Sequence, residues 1–143
     1  MFLIAGCAQE IEVTPEPETY EDKDIIIELG FGNAHAGTSE EYLIFDDRTV
    51  KVSKKDWRAL EEVEYEKQIS KEELLELTKF ITDKEFFTKS FERNDKVVMD
   101  TNRYTLKANI DDKTREVRWG GDEVTNEEVL MAIIAEIEEV SKE

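Results

Sequence analysis

The end of the chain carries the pattern that most constrains the fold. Residues 102–110 (NRYTLKANI) alternate with a period of two, and residues 115–119 alternate again after a polar turn at Asp111, Asp112 and Lys113. Alternation on both sides of a polar turn predicts a half-buried antiparallel hairpin. The side chains expected on the covered face of its two strands are Tyr104, Leu106, Ala108, Ile110, Val117 and Trp119.

A helix is predicted directly after this hairpin. Thr125 and Glu128 have the Thr-x-x-Glu spacing of a capping box, in which two side chains satisfy backbone N–H groups at a helix start. The apolar residues that follow share an arc of about 140° at about 100° per residue. They are Val129, Leu130, Ile133, Ile134, Ile137 and Val140. Such a stripe needs a sheet to cover, and the preceding hairpin is the nearest candidate.

The first half of the chain predicts further strands. An isoleucine-rich run indicates a strand within residues 24–31, and residues 41–45 and 49–53 predict a hairpin across a short polar turn. Ser53 and Asp56 have the spacing to cap a short helix that carries Trp57 and Leu60. Alternation over residues 63–69 then favours another strand.

A second helix is predicted in the middle of the chain. Ser70 and Glu73 form a capping box that begins a helix through about Thr82. The aromatic residues after it, at positions 86, 87 and 91, are expected to plug this helix against the sheet. Residues 25–143 therefore predict a single α+β domain, with a mostly antiparallel sheet and two amphipathic helices packed on one face.

The charge balance excludes some partners. The chain has 36 acidic and 19 basic residues, for a net charge of −17. Repulsion from phosphate groups argues against nucleic-acid binding and against docking on anionic lipid headgroups. The acidic excess predicts a soluble, self-repelling surface. A weak Ca²⁺ sink in a structural envelope protein, or a docking surface for a basic partner, stays open as an alternative.

The N-terminal residues suggest a subcellular location. The tetrad Ile4-Ala5-Gly6-Cys7 resembles the lipobox of a lipoprotein signal peptide, in which the cysteine becomes diacylated and N-terminal. Residues 1–7 are then the remnant of a signal peptide, and we expect the reading frame to start upstream, because such a peptide needs about 7–15 apolar residues before its cleavage site. The alternative is an apolar start with a free or buried thiol.

The composition of the next segment agrees with a lipid-anchored protein. Residues 8–24 contain seven acids, one lysine, Pro15 and Pro17, a composition that predicts an extended tether. At roughly 3.3 Å per residue the tether reaches about 55 Å. These features predict an extracytoplasmic protein that contacts the membrane through a lipid on Cys7.

A glycine-rich segment is the candidate site for a protein partner. It contains Gly30, Phe31, Gly32, Asn33, His35 and Gly37. The glycines flanking Phe31 allow tight backbone geometry and present an aromatic side chain, and loops often carry binding residues. In the alternative interpretation Phe31 packs at the edge of the core, and the lone histidine is simply solvated.

No catalytic motif supports an enzyme. The chain lacks a phosphate-binding glycine loop, a Gly-x-Ser-x-Gly elbow, His-Glu-x-x-His and EF-hand spacing. One cysteine and one histidine exclude a disulfide framework, a Cys-rich zinc site and a two-His metal site. We therefore expect no cofactor, no metal and no catalytic residue. The carboxylates leave open a paired-acid hydrolase as the less favoured alternative.

Two resemblances add to this interpretation over residues 25–140. The strand Tyr42-Leu43-Ile44-Phe45 and the helix start Ile69-Ser70-Lys71-Glu72-Glu73 resemble small domains of unknown function in secreted lipoproteins. The Gly-Phe pair at 30–31, the Phe-Phe pair at 86–87 and the closing hairpin and helix are similar to emfourin-type inhibitors of thermolysin-like metallopeptidases. Both resemblances imply a non-enzymatic binding domain, and the second implies peptidase inhibition.

Overall fold

The computed structural model describes residues 24–92, 102–120 and 124–143, and in these ranges it contains six strands and two helices. In chain order they are β1 (Ile25–Asn33), β2 (Thr38–Phe45), β3 (Thr49–Asp56), β4 (Glu61–Gln68), α1 (Lys71–Asp83), β5 (Arg103–Ile110), β6 (Lys113–Trp119) and α2 (Glu127–Val140). The fold is α+β and mostly antiparallel sheet, as predicted. Cys7 and residues 8–23, on which the lipoprotein prediction rests, lie outside the described residues.

The six strands form one sheet in the order β4–β3–β2–β1–β5–β6. All neighbouring strands are antiparallel, so both predicted hairpins, β2–β3 and β5–β6, are confirmed. Strands β1 to β4 follow one another as a meander. The chain then passes through α1 and returns to the other side of β1, where Leu106 of β5 lies opposite Leu29. β1 is therefore a central strand with a hydrogen-bonded neighbour on each side.

The core is built on a row of buried strand residues. In the strand register Val52, Tyr42, Leu29, Leu106 and Val117 lie side by side across five strands, and all of them are buried. Buried side chains of both helices belong to the same hydrophobic cluster, namely Leu77 and Ile81 of α1 and Leu130, Ile133, Ile134 and Ile137 of α2. Each fully buried aliphatic side chain contributes about 1.5–3 kcal/mol, so this cluster is the main source of stability.

The start of α1 agrees with the sequence. Ser70 is the N-cap; its Oγ accepts a hydrogen bond from the Glu73 amide at 3.0 Å, and its own amide donates to Glu73 Oε1 at 2.9 Å. After the helix Phe86 is fully buried, and Phe87 and Phe91 pack against the cluster around it. The predicted capping box and aromatic plug are both confirmed.

The predicted capping box of α2 is wrong. The N-cap is Asn126, a left-handed residue with φ of 60° whose side chain makes no capping hydrogen bond. Thr125 Oγ1 accepts a hydrogen bond from the Glu92 amide at 2.6 Å, and Asn126 Nδ2 donates to the Ser90 carbonyl at 2.9 Å. These side chains fasten the chain before α2 to the segment after α1, a tertiary role that local spacing does not reveal.

The predicted short helix around Trp57 is also wrong. β3 continues to Asp56, residues 57–60 form a turn, and β4 begins at Glu61. Asp56 Oδ1 accepts hydrogen bonds from the amides of Arg58 at 3.0 Å and Ala59 at 3.1 Å. The aspartate thus caps a hairpin turn, since Asp side chains bond to backbone amides two or three residues ahead in turns as well as in helices. The strand predicted after it is confirmed as part of β4.

Candidate functional site

Two turns meet at one end of the sheet, which we call the hairpin end. They are the β1–β2 turn at residues 34–37 and the β3–β4 turn at residues 57–60. The Trp57 amide donates to the Gly37 carbonyl at 2.8 Å, and Arg58 Nη2 donates to the His35 carbonyl. Gly37 has a φ of 77°, and a Cβ built on it would lie 3.1 Å from the Arg58 side chain. The glycine therefore lets the two turns lie against each other.

The β3–β4 turn exposes large apolar side chains. The exposed fractions are 90% for Leu60, 58% for Trp57 and 52% for Val63. Leu60 also has a left-handed backbone with φ of 56°, a conformation that costs a residue with a side chain about 1–2 kcal/mol. Single exposed apolar residues are common, but three on one hairpin make a patch of the kind that marks interaction sites.

The segment predicted to bind a partner is more ordered than a flexible loop. Gly30, Phe31, Gly32 and Asn33 are all part of β1, and only residues 34–37 form the turn. Asn33 caps that turn, because its Oδ1 accepts a hydrogen bond from the Ala36 amide at 2.9 Å. The partner-binding role of these residues stays a prediction.

Phe31 does not project from a loop. Its ring is half-buried between the rings of Tyr42 and Tyr104, with centroid distances of 6.1 and 5.7 Å. It packs against the core cluster, in agreement with the alternative interpretation of the sequence. His35 is an exposed residue of the turn, and its carbonyl accepts the hydrogen bond from Arg58.

The face of the sheet that carries Gly30 and Gly32, which we call the polar face, has mostly charged and small side chains around these glycines, and Leu43 also lies on it. In the register one row consists of Glu64, Ser53, Glu41, Gly30, Thr105 and Arg118. The next row consists of Glu62, Lys55, Ser39, Gly32 and Arg103. The two glycines of the central strand thus form the floor between flanking polar residues.

A groove follows this glycine floor. It has a volume of about 360 Å³, and its lining includes Lys55, Arg103, Glu41 and the hydroxyl residues Ser39, Ser53 and Thr105. A second groove of about 550 Å³ lies over β3 and β4 and shares Glu41, Ser53 and Lys55 with the first. The polar face is therefore open and concave where the central strand has no side chains.

Two side chains near the hairpin end, Tyr42 and Glu138, have shifted pKa values. Partial burial, together with the nearby Glu40 carboxylate, raises the pKa of Glu138, and Lys54 opposes this shift. Burial and a 2.6 Å hydrogen bond to Glu40 raise the pKa of the Tyr42 hydroxyl. Glu40 lines a groove of about 190 Å³, but Glu138 is not among the residues that line it. Glu40 and Glu138 therefore do not both line this groove, as the acid and base of a paired-acid hydrolase would have to.

In the described ranges no three His, Cys, Asp or Glu side chains are placed to hold a metal ion. No helix in the part of the chain that the structure describes is long and apolar enough to span a membrane. No protein-family model and no curated protein matches the sequence.

Sequence reasoning missed both surfaces that the structure brings forward. The sequence predicts a helix for Trp57 and Leu60. However, an aspartate followed by a few residues and then by a new alternating segment is equally typical of a hairpin turn. The polar face had a usable signal in the alternation of residues 61–66 with charges at every second position. No sequence pattern predicts the glycine floor of this face, because the strand pairing that places Gly30 between Glu41 and Thr105 joins distant parts of the chain.

Proposed function

We propose that this protein is a non-enzymatic domain that binds another protein through its hairpin end. The observation that carries the proposal is the patch of Trp57, Leu60 and Val63, all more than half exposed on one hairpin. Tryptophan is enriched among the few interface residues whose truncation costs about 2 kcal/mol or more, and fully burying an exposed leucine contributes about 1.5–3 kcal/mol. Trp57 and Leu60 are the residues expected to supply most of the binding energy.

The helices leave this surface accessible. We infer that α1 and α2 are amphipathic and pack on one face of the sheet, since their buried residues share a cluster with the buried strand residues. Two contacts support this arrangement: Tyr65 Oη donates to the Ser141 carbonyl at 2.6 Å, and Arg115 Nη1 donates to the Phe86 carbonyl at 3.0 Å. The sheet then acts as a rigid support for the turns at its end.

The domain is held outside the membrane by a lipid on Cys7 in this proposal. The support is the tetrad Ile4-Ala5-Gly6-Cys7 and the acidic, proline-containing segment 8–24 after it. Intact mass spectrometry and membrane fractionation of the protein expressed from its full reading frame test this part. A mature chain that begins at an acylated Cys7 supports the anchor, and an unmodified soluble chain contradicts it.

The binding role is tested by paired substitutions of exposed leucines. The full chain is used to capture partners from membrane extract and is compared with Leu60→Asp at the hairpin end and Leu75→Asp on α1, where the leucine is 57% exposed. We expect Leu60→Asp to reduce capture of a specific protein at least tenfold and Leu75→Asp to leave it unchanged. Equal capture by all three proteins would contradict the proposal.

A specific second candidate is the inhibition of a thermolysin-like metallopeptidase. The observation that favours it is Leu60, an apolar side chain that is 90% exposed in the four-residue turn of a hairpin and is therefore free to enter a substrate cleft. Titration of a thermolysin-like peptidase with the full chain should then abolish activity near one equivalent, and Leu60→Asp should weaken inhibition at least tenfold. An inert titration would remove the inhibitor candidate but would leave the broader binding role standing.

A further inference from the structure

Gly30 lies in the middle of the central strand, yet the fold does not require a glycine there. A Cβ built on Gly30 meets only the Glu40 carbonyl, at 4.0 Å, an ordinary contact distance. Its backbone also does not have the positive φ that favours glycine. Glycine inside a strand weakens the strand, and it often marks a place where a ligand or another backbone approaches closely.

Gly32, two residues further on, provides the contrast. A Cβ built on it would lie 2.9 Å from the Thr38 carbonyl and 3.3 Å from the Ser39 Cβ. The approach of β2 therefore accounts for this glycine without any ligand. Gly30, by contrast, has open space where a side chain would lie, and no contact of the fold requires a glycine at this position.

Gly30 and Gly32 have neighbours of opposite charge on the polar face. Glu41 lies beside Gly30, whereas Lys55 and Arg103 lie in the row of Gly32, on either side of it. Lys55 Nζ also lies 3.9 Å from Glu62 Oε2 at the end of that row.

Glu41, Lys55 and Arg103 all line the groove of about 360 Å³ over the glycines. In a chain with a net charge of −17 this groove is lined by two basic residues, Lys55 and Arg103, and two acidic residues, Glu40 and Glu41. The Glu40 carboxylate already accepts a hydrogen bond from the Tyr42 hydroxyl at 2.6 Å, so Glu41 is the carboxylate left to meet a cation.

The spacing of these rows identifies the occupant. Side chains on one face of a strand repeat every two residues, or about 6.6–6.8 Å, and an extended peptide has the same repeat. A peptide lying along β1 would place a basic side chain near Glu41 and, two residues away, an acidic side chain between Lys55 and Arg103. Its backbone would lie over Gly30, and the hydroxyls of Ser39, Ser53 and Thr105 would offer hydrogen bonds.

We propose that the groove over Gly30 binds an extended peptide segment of a partner protein with the pattern basic-x-acidic. The occupant is chosen by charge complementarity and by the room that Gly30 leaves for a second backbone. The proposal deepens the protein-binding function, on which it rests, by adding a second surface that does not include the hairpin end. Arg103 and Lys55 hold the carboxylate, Glu41 holds the cation, and Gly30 sets how closely the peptide approaches.

The test is an NMR titration of the full chain with defined peptides. The probe is acetyl-Gly-Lys-Ala-Glu-Gly-amide, and the control is acetyl-Gly-Ala-Lys-Glu-Gly-amide. The control has the same composition and net charge, but its two charged side chains are adjacent and so point to opposite sides of an extended chain. We expect saturable shifts of the Gly30, Gly32 and Thr105 amides with the probe, and binding at least tenfold weaker for the control.

Two variants complete the test. Gly30→Ala should melt at the same or a higher temperature than the unmodified protein but bind the probe at least tenfold more weakly, because the methyl group occupies the approach of the peptide backbone. Arg103→Gln, a change of an exposed side chain, should also weaken probe binding at least tenfold. Equal binding of the two peptides, unchanged probe binding by either variant, or no saturable shift with the probe would overturn the proposal. Since the titration contains no peptidase and no captured partner, its failure leaves the role of the hairpin end to be judged by the leucine variants.

Discussion

The hairpins β3–β4 and β5–β6 lie at opposite ends of the sheet order and have strands of similar length, but they contribute differently to the molecule. β5–β6 supplies five side chains to the core, namely Leu106, Ala108, Ile110, Val117 and Trp119. In the β3–β4 hairpin β3 supplies Val50 and Val52 to the core, but β4 has no buried residue, and the turn between them exposes Trp57 and Leu60. Both strands of the second hairpin are therefore held by the core, whereas only one strand of the first is.

The turns of these two hairpins also differ. The β5–β6 turn consists of Asp111 and Asp112, both with positive φ, as in the tight two-residue turns that match the twist of a hairpin. The β3–β4 turn has four residues, places a leucine in the left-handed region and leaves its side chain in solvent. One turn is suited to closing a hairpin, and the other keeps an unfavourable apolar residue exposed. That difference is the reason to assign binding to the hairpin end.

The largest expected effect comes from the two tryptophans, one in each hairpin. Trp119 is 2% exposed and stacks on Tyr104 with a centroid distance of 4.9 Å, so Trp119→Ala should lower the free energy of unfolding by about 4 kcal/mol. Trp57→Ala, at a side chain that is 58% exposed, should change it by less than about 0.5 kcal/mol. Urea denaturation followed by circular dichroism measures both. Similar losses for the two variants would contradict the distinction between the hairpins.

A smaller effect is expected at the attachment of β4 to α2. Tyr65 of β4 is joined to the end of α2 by the hydrogen bond to the Ser141 carbonyl, and Tyr65→Phe removes it at a cost of about 1 kcal/mol. The loss should be local: hydrogen exchange of the β4 amides should accelerate, with β5 and β6 unchanged.

A matched control exists in β5. Tyr104 Oη accepts a hydrogen bond from the exposed Asn102 at 3.2 Å, so Tyr104→Phe should have less effect on stability and none on exchange in β4. Uniform acceleration across the sheet after Tyr65→Phe would show that β4 is not a separately anchored element.

The elements that could be predicted from the sequence are those encoded by neighbouring residues. The alternation of residues 102–119 fixes a hairpin because each side chain's face follows from its position, and Ser70 and Glu73 need only three residues to satisfy each other. Thr125 has the same spacing to Glu128, yet it bonds to Glu92, a residue 33 positions away. Spacing therefore identifies a possible cap, but the tertiary neighbours decide whether it is used.

The candidate site was less accessible to prediction for the same physical reason. The sequence leaves open whether Phe31 faces a partner or packs at the edge of the core. Its ring lies between Tyr42 and Tyr104, and the second of these comes from a strand more than 70 positions away. The exposure of Trp57 and Leu60 goes with a strand, β4, that has no buried residue, and the alternating sequence of β4 does not predict this. Local patterns thus locate strands, whereas the contacts between distant strands decide which surfaces remain free.

The smallest expected effect tests the electrostatics where α2 faces the β2–β3 part of the sheet. Partial burial and then the Glu40 carboxylate raise the pKa of Glu138 above its ordinary value of 4.5, so the folded protein binds this proton more tightly than the unfolded chain does. The contribution of Glu138 to stability is therefore fully present below pH 4.5 and is lost as the pH rises through the raised pKa. Glu138→Gln stays neutral and should make the protein slightly more stable at pH 7 and almost unchanged at pH 4.

Glu136→Gln is the matched control for this change, since Glu136 is exposed on the same helix. Melting temperatures of the three proteins between pH 4 and pH 7 give the answer. If Glu138→Gln and Glu136→Gln follow the same curve, the repulsion between Glu138 and Glu40 is screened by solvent, and β4 is joined to the end of α2 by apolar packing and by the hydrogen bonds of Tyr65 and Lys67 to the Ser141 and Lys142 carbonyls. If only Glu138→Gln flattens the curve, Glu138 of α2 and Glu40 of β2 form an unfavourable charge pair.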